Sequence, residues 1–155
     1  MREYLRDPDS QRSFFYLSTE RTLSMIKPDA VAAGHAGEIL AMIEKAGFKI
    51  LALRMTRLTV AQAQAFYAVH RERPFFAGLV KFMTEGPILV MALEREDAIR
   101  KLRETMGATN PAHAAEGTIR KRFAANVERN CVHGSDAPET AAAELGFHFS
   151  AAELL

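Results

Sequence analysis

The 155-residue sequence has one cysteine, Cys131, which excludes an internal disulfide and any Cys-cluster metal site. A surplus of one charge is also missing. Twenty Lys plus Arg stand against nineteen Asp plus Glu, a net charge of +1. That balance gives neither a nucleic-acid footprint nor an acidic tail. The longest unbroken apolar run is six residues, Ile88 to Leu93, far short of the roughly 18 needed to cross a membrane. Near the N-terminus the apolar run Phe14 to Leu17 has four residues, too few for a signal-peptide core. Two nucleotide-binding signatures are absent as well. No Lys is followed by Ser or Thr, so there is no P-loop, and there is no G-x-G-x-x-G. A phosphate ligand would have to be held by another architecture.

What is present is ordinary globular composition, 48% apolar and 25% charged. The length suits one domain with a core that needs no staples. These features together predict a cytoplasmic protein. Arg outnumbers Lys fourteen to six, a bias that suits bidentate oxyanion binding.

Residues 1–19 carry charges, Pro8 and an aromatic cluster without a clear period, and are expected to form an extension. Thr22 to Ile26 reads as a strand running into Lys27-Pro28, with Lys27 at its end because proline disfavours helix at the residue before it. A helix with Ile39, Ile43 and Ala46 on one face follows and closes at Gly47. Phe48 to Leu58 reads as a strand. Thr59-Val-Ala-Gln62 is a capping-box pattern opening a helix to about His70. A short helix is expected over Phe75 to Met83, a central strand over Ile88 to Leu93, and a helix over Glu96 to Met106. Residues 107–119 read as a long loop of the kind that is usually functional. A helical turn over Phe123 to Asn126 and a short strand over Asn130 to His133 come next. A helix then opens at Asp136-Ala-Pro-Glu139 and stops at Gly146, leaving Phe147 to Phe149 as a strand or tail. The order fits an α+β sandwich on an antiparallel sheet with helices on one face.

Asn130-Cys-Val-His133-Gly-Ser135-Asp136, followed by Glu144, is the stretch with the most chemistry. It can be a loop histidine beside a routine N-cap, supplied by Ser135 or Asp136. It can also be a histidine held by Ser135 and Glu144 as an oriented nucleophile or base, with Gly134 letting the backbone approach a ligand. Lys27, Arg103, Arg120 and Arg129 fall at element ends or in loops. With Gly107, Thr109 and Asn110 they could form an anion cradle built from side-chain forks. In Pro74-Phe75-Phe76 both rings could pack in the core, or one could belong to the core with the other an exposed stacking plate. Tyr67 would end its helix with a hydroxyl free to donate. Cys131 lies two residues before His133 and on a strand would share its face, but a buried structural cysteine is the commoner case. His35, His70, His113 and His148 lack a metal-ligand pattern and read as surface or packing residues.

Five collinear blocks, Glu20 to Val31, Arg73 to Val80, Gly107 to Pro111, Gly117 to Arg120 and Asn130 to Asp136, resemble the nucleoside diphosphate kinases over about residues 20–150. The resemblance implies a ferredoxin-like α/β sandwich with a four-stranded antiparallel sheet, in a catalytic domain of residues 20–155. It implies γ-phosphate transfer from a nucleoside triphosphate to a diphosphate by a ping-pong route through phospho-His133, with broad base specificity. In its terms Ser135 and Glu144 orient His133. Lys27, Tyr67, Arg103, Thr109, Arg120 and Asn130 hold phosphate and ribose. Phe75 stacks on the base with Val127 as its apolar companion. Mg²⁺ would ride mainly on the nucleotide phosphates, with no direct protein ligand. Pro111 falls in a loop expected at subunit contacts of a homotetramer or homohexamer. Membrane and specific nucleic acid are not expected as partners. The chain departs from the family pattern at Glu94-Arg95, where a glycine commonly stands, and at Lys121-Arg122, where an acidic residue is usual. Two rivals are an RNA-binding module on the same scaffold class and a catalytically inactive relative.

Overall fold

A computed structural model describes residues 18–154. The extension expected over 1–19 falls almost wholly outside them, including Phe14 to Leu17. Thr19 already belongs to the first strand.

Four strands, β1 (Thr19–Ile26), β2 (Lys49–Thr56), β3 (Ile88–Glu96) and β4 (Val132–Gly134), form one sheet in the order β2-β3-β1-β4. Every neighbouring pair is antiparallel. β3 is interior, as its unbroken apolar run predicts. Its side chains alternate between two cores. Leu89, Met91 and Leu93 face one, and Ile88, Val90 and Ala92 the other.

Helices cover both faces, which corrects the expectation that they lie on one. The first core takes residues from α2 (Ala36–Lys45), α5 (Ala98–Met106) and α6 (Ile119–Phe123). The second takes them from α3 (Val60–Phe66), α4 (Phe76–Thr84) and α7 (Pro138–His148). A sheet whose central strand is apolar on both faces must be covered twice. β2, expected to be apolar on both sides, is an edge strand with Leu53 45% and Met55 58% exposed.

The predicted elements are present with shifted ends. The capping box at Thr59 forms in both directions: Gln62 N donates to Thr59 Oγ1 at 3.1 Å and Thr59 N to Gln62 Oε1 at 2.9 Å. The helix it opens ends at Phe66, and a 3₁₀ turn carries Ala68 to His70. A short helix α1 (Pro28–Ala32), not expected, opens directly after Lys27. The helical turn placed over 123–126 lies four residues earlier, in α6, because Thr118 accepts from Lys121 N at 3.4 Å and caps it. Ile119, expected in a surface loop, is therefore in the core. α7 runs through Gly146 to His148, so Phe147 and His148 are helical rather than extended. Burial of Leu145, His148 and Phe149 holds that last turn against the weak propensity of glycine. A final 3₁₀ turn spans Ala151–Leu154.

Candidate active site

β4 lies beside β1 with His133 opposite Met25 and Gly134 opposite Ser24. Ser24 Oγ donates to His133 O at 2.8 Å, and Ser135 N donates to Leu23 O at 3.1 Å. The backbone on both sides of the imidazole is therefore tied to a central strand. α7 returns over β4 and brings Glu144 back to the histidine. Glu144 Oε2 lies 2.9 Å from His133 Nε2 and accepts from Ser135 Oγ at 2.6 Å. One carboxylate oxygen thus serves both residues. The ring edges of Phe66 and Tyr67 flank the imidazole, with centroids 5.4 and 6.0 Å away.

Neither Ser135 nor Asp136 caps α7 with its side chain. Thr140 Oγ1 accepts from Ala137 N at 2.9 Å and donates to Asp136 Oδ1 at 2.6 Å. That bond, above all, holds the Asp136 carboxyl below its usual range. Gly134 was expected to admit a ligand, but the close approach is to helix α5. A Cβ there would lie 2.7 Å from Met106 Cε and 2.9 Å from Leu102 Cδ2.

The floor beside His133 is cationic and buried. Lys27 Nζ donates to Asn130 Oδ1 at 2.8 Å, and Lys27 N to Cys131 O at 2.8 Å. Burial, and then the neighbouring Arg120 charge, lowers the Lys27 pKa to about 8. Arg120 donates to Gly107 O and to Val132 O, each at 2.9 Å, so its guanidinium is fixed between the end of α5 and β4. Burial also pulls its pKa down. Asn130 Nδ2 reaches Thr109 O at 3.4 Å, joining the 107–119 loop to the floor.

A cleft of about 1650 Å³ opens over this floor. Ten of the eleven predicted site residues line it: Lys27, Tyr67, Phe75, Arg103, Thr109, Arg120, Val127, Asn130, His133 and Glu144. Ser135 lies beneath, holding Glu144. Phe75 and Val127 remain 50% and 53% exposed at the mouth, which leaves two apolar surfaces uncovered inside a cleft. Phe76 packs against the second core, so the two rings divide rather than both packing in the core. The Tyr67 hydroxyl, expected to be free, is buried with no partner among the described residues. Burial, and then the Glu144 charge, raises its pKa, so it stays a neutral donor.

Arg129 lines the same cleft, but its guanidinium is already engaged. It pairs with Glu85 at 2.6 Å on the rim and stacks over Phe82. Phe82 and His113 also line the cleft and were not expected there. Phe82 lies seven residues after Phe75, two helical turns along the same face of α4, a spacing that could have revealed it. Cys131 does not share a strand face with His133. It precedes β4 at φ 72°, buried in the first core, with its thiol pushed up to about 12, first by burial and then by the charge of Asp29. Such a thiol is not a nucleophile at neutral pH.

A four-stranded antiparallel sheet covered on both faces, with a histidine and three cations meeting in one cleft, belongs to the ferredoxin-like α+β class. The family profile described as "Nucleoside diphosphate kinase" matches residues 20–154. The nucleoside diphosphate kinase of Nitratidesulfovibrio vulgaris (strain DP4) is 60% identical over 136 residues, 88% of this chain and 98% of that one. Two solved structures superpose closely. The Aquifex aeolicus nucleoside diphosphate kinase gives a TM-score of 0.87 at 45% identity, covering 89% of this chain and all of that one. The Halobacterium salinarum nucleoside diphosphate kinase, solved in complex with CDP, gives 0.85 at 38% identity, covering 89% of this chain and 92% of that one. The chain belongs to the nucleoside diphosphate kinase family and is a phosphotransferase. Family membership displaces the reading as an RNA-binding module.

Proposed function

We propose that this enzyme moves the γ-phosphate of a nucleoside triphosphate to a nucleoside diphosphate in two half-reactions through phospho-His133. One observation carries the reading: Glu144 Oε2 engages His133 Nε2, which places the ring proton there. Nδ1 is then the nitrogen with a lone pair for phosphorus. In the first half-reaction Nδ1 forms a bond to the γ-phosphorus. The bond from phosphorus to its bridging oxygen breaks, and the electron pair leaves with the nucleoside diphosphate. In the second, a β-phosphate oxygen of the acceptor attacks the same phosphorus, and the pair of the N–P bond returns to Nδ1. Glu144 keeps the Nε2 proton in place throughout and steadies the positive charge on the ring. Ser135 holds the Glu144 carboxylate from behind.

A loose phosphoryl transition state depends on positioning and charge neutralisation. Lys27 and Arg120 supply both from fixed positions, with Arg103, Thr109 and Asn130 at the sides of the cleft. Tyr67, neutral and unpartnered, can donate to a phosphoryl oxygen. Phe75 and Val127 take the two faces of the base. Stacking reads no base edge, so the reading includes broad specificity.

Four of the five carboxylates lining the cleft are already engaged, Glu85 with Arg129, Glu104 with Lys101, Asp136 with Thr140 and Glu144 with His133, and the fifth, Glu128, is exposed. Among the described residues no three His, Cys, Asp or Glu gather as a metal site. This donor set fits a Mg²⁺ carried in on the nucleotide phosphates, where it would supply positive charge to the phosphate oxygens.

The reading includes a homo-oligomer, a tetramer or hexamer, in the cytoplasm. The exposed Leu53 and Met55 of edge strand β2 are the kind of surface a second copy covers. The 107–119 loop with Pro111 offers a further contact. Light scattering of the native protein should show no monomer of 17.2 kDa at micromolar concentration. The reading takes residues 20–155 as the catalytic unit.

Incubation with γ-labelled ATP tests the mechanism. The protein should take up acid-labile, base-stable label and pass it to any added nucleoside diphosphate. His133→Gln should take up none, and its turnover should vanish while nucleotide binding persists. Near-normal turnover in that variant would overturn the mechanism.

A further inference from the structure

Asp29 follows Lys27 and Pro28 at the start of α1 and does not line the cleft, yet its carboxylate reaches the segment that carries Asn130 and His133. Its Oδ2 accepts from the backbone N–H of Cys131 at 3.1 Å. Its Oδ1 is buried with no partner among the described residues. Cys131, the residue it holds, is one of two non-glycine residues with positive φ among those described. Asn130 O accepts from Val132 N across it at 2.9 Å, closing a three-residue γ-turn. At φ 72° that turn has the rare and strained hand. L-residues leave this region unless the surroundings hold them.

The turn separates two groups of the same site. Before it, Asn130 points its amide oxygen to Lys27 Nζ. After it, Val132 and His133 enter β4 in register with β1. Three bonds clasp the Lys27–Asp29 segment to the Asn130–Cys131 segment: Lys27 N to Cys131 O, Lys27 Nζ to Asn130 Oδ1, and Cys131 N to Asp29 Oδ2. The first two tie down what lies on either side of the strained bond. Only the third acts on the amide of the strained residue itself.

We propose that Asp29 is a positioning residue of the phosphotransfer site, holding Cys131 in its left-handed conformation so that Asn130, with the Lys27 ammonium it binds, and His133 keep their places in one nucleotide site on the two sides of the turn. The proposal rests on the reading of His133 as nucleophile and of Lys27 and Asn130 as nucleotide contacts. Without the carboxylate, the turn relaxes toward negative φ, and Asn130 and His133 lose their mutual geometry while the sheet stays intact.

The test is a set of variants of the full-length enzyme, compared by kcat/KM for nucleoside diphosphate kinase turnover and by thermal melting. Asp29→Ala should lower kcat/KM by about 10- to 100-fold, the range for loss of one hydrogen bond to a charged acceptor. Asp29→Asn keeps an acceptor oxygen with a weaker bond, so its rate should fall between those of the unaltered enzyme and Asp29→Ala. Cys131→Gly added to Asp29→Ala should restore most of the lost rate, because glycine takes positive φ without a clasp. It also removes a buried thiol, so the double variant should melt lower than Asp29→Ala while turning over faster. A role confined to stability would move rate and melting together.

An unchanged rate in Asp29→Ala, or a double variant as slow as Asp29→Ala, would overturn the proposal. Should Asp29→Ala fail to fold, Cys131→Gly and Cys131→Val in the native Asp29 background decide. The β-branched residue resists positive φ and should be slow, whereas glycine should be fast; equal rates overturn it. These rates are read on kinase turnover itself, so they are distinct from the His133→Gln result that would overturn the nucleophile.

Discussion

Replacing Glu144 with glutamine changes one atom and one charge at the centre of the site. The carboxylate oxygen accepts two hydrogen bonds, 2.9 Å from His133 Nε2 and 2.6 Å from Ser135 Oγ. The amide oxygen of glutamine can still accept both, so geometry and fold should persist. What falls is the strength of each bond. A bond to a charged partner contributes about 1.5–3 kcal/mol and a neutral one about 0.5–1.5 kcal/mol. Two bonds weakened by about 1–1.5 kcal/mol each amount to roughly 2–3 kcal/mol, or roughly 30- to 150-fold in rate. The loss should appear in both half-reactions, since in the proposed mechanism the same imidazole gives and receives the phosphoryl group. Rapid-quench measurement of phosphohistidine formation from γ-labelled ATP, and of its discharge by a nucleoside diphosphate, separates the two. Nucleotide KM should be little changed, because the carboxylate of Glu144 is engaged by His133 and Ser135. A Glu144→Gln enzyme with unaltered quench rates, or one defective only in KM, would refute the argument.

Three further outcomes follow from the same geometry. Phe75→Ala should raise KM for all nucleotides together, since loss of a stacking surface costs about 1–3 kcal/mol whatever the base; a rise confined to purines, measured across four acceptors, would mean that base edges are read. In the proposed mechanism Lys27 acts on phosphate as a cation, and its pKa is lowered to about 8. kcat/KM, which reports the free enzyme, should therefore fall as pH rises through about 8, and a profile flat to pH 10 would remove Lys27 from that role. His148 is buried beside Phe66, Phe147 and Phe149 with an unpartnered Nε2, and burial, with the Arg54 charge next, lowers its pKa to about 4 from 6.5. The unfolded chain binds the proton first. Stability should be lost as pH falls from about 6.5 to about 4, by about 3 kcal/mol in all. Melting curves of His148→Leu should lack that part of the acid dependence.

Local rules made much of the fold legible. The unbroken apolar run Ile88 to Leu93 could only be an interior strand, and Thr59 with Gln62 could only open a helix. Lys27 had to end its strand because Pro28 follows it. The site was legible as a set of residue types, and its assembly came through the resemblance of five blocks to one family. Spacing alone left His133 open between a loop residue and a nucleophile, because Glu144 lies eleven residues away and nothing local returns α7 over β4.

Tertiary structure decided what depends on contacts between distant segments. Burial of Leu145, His148 and Phe149 carried α7 past Gly146, overriding a local stop signal. The nearness of Leu102 and Met106 explains Gly134, which the sequence could assign only to a ligand. Arg129 is engaged on the rim of the cleft because Glu85, 44 residues earlier, meets it there. Asp29 and Cys131 are 102 positions apart, so no pattern along the chain could show that the carboxylate of one holds the backbone of the other. Short-range sterics and propensity act between neighbours in sequence and are written there. Which partner satisfies a buried charge or a strained turn is settled only when the sheet brings distant segments into contact.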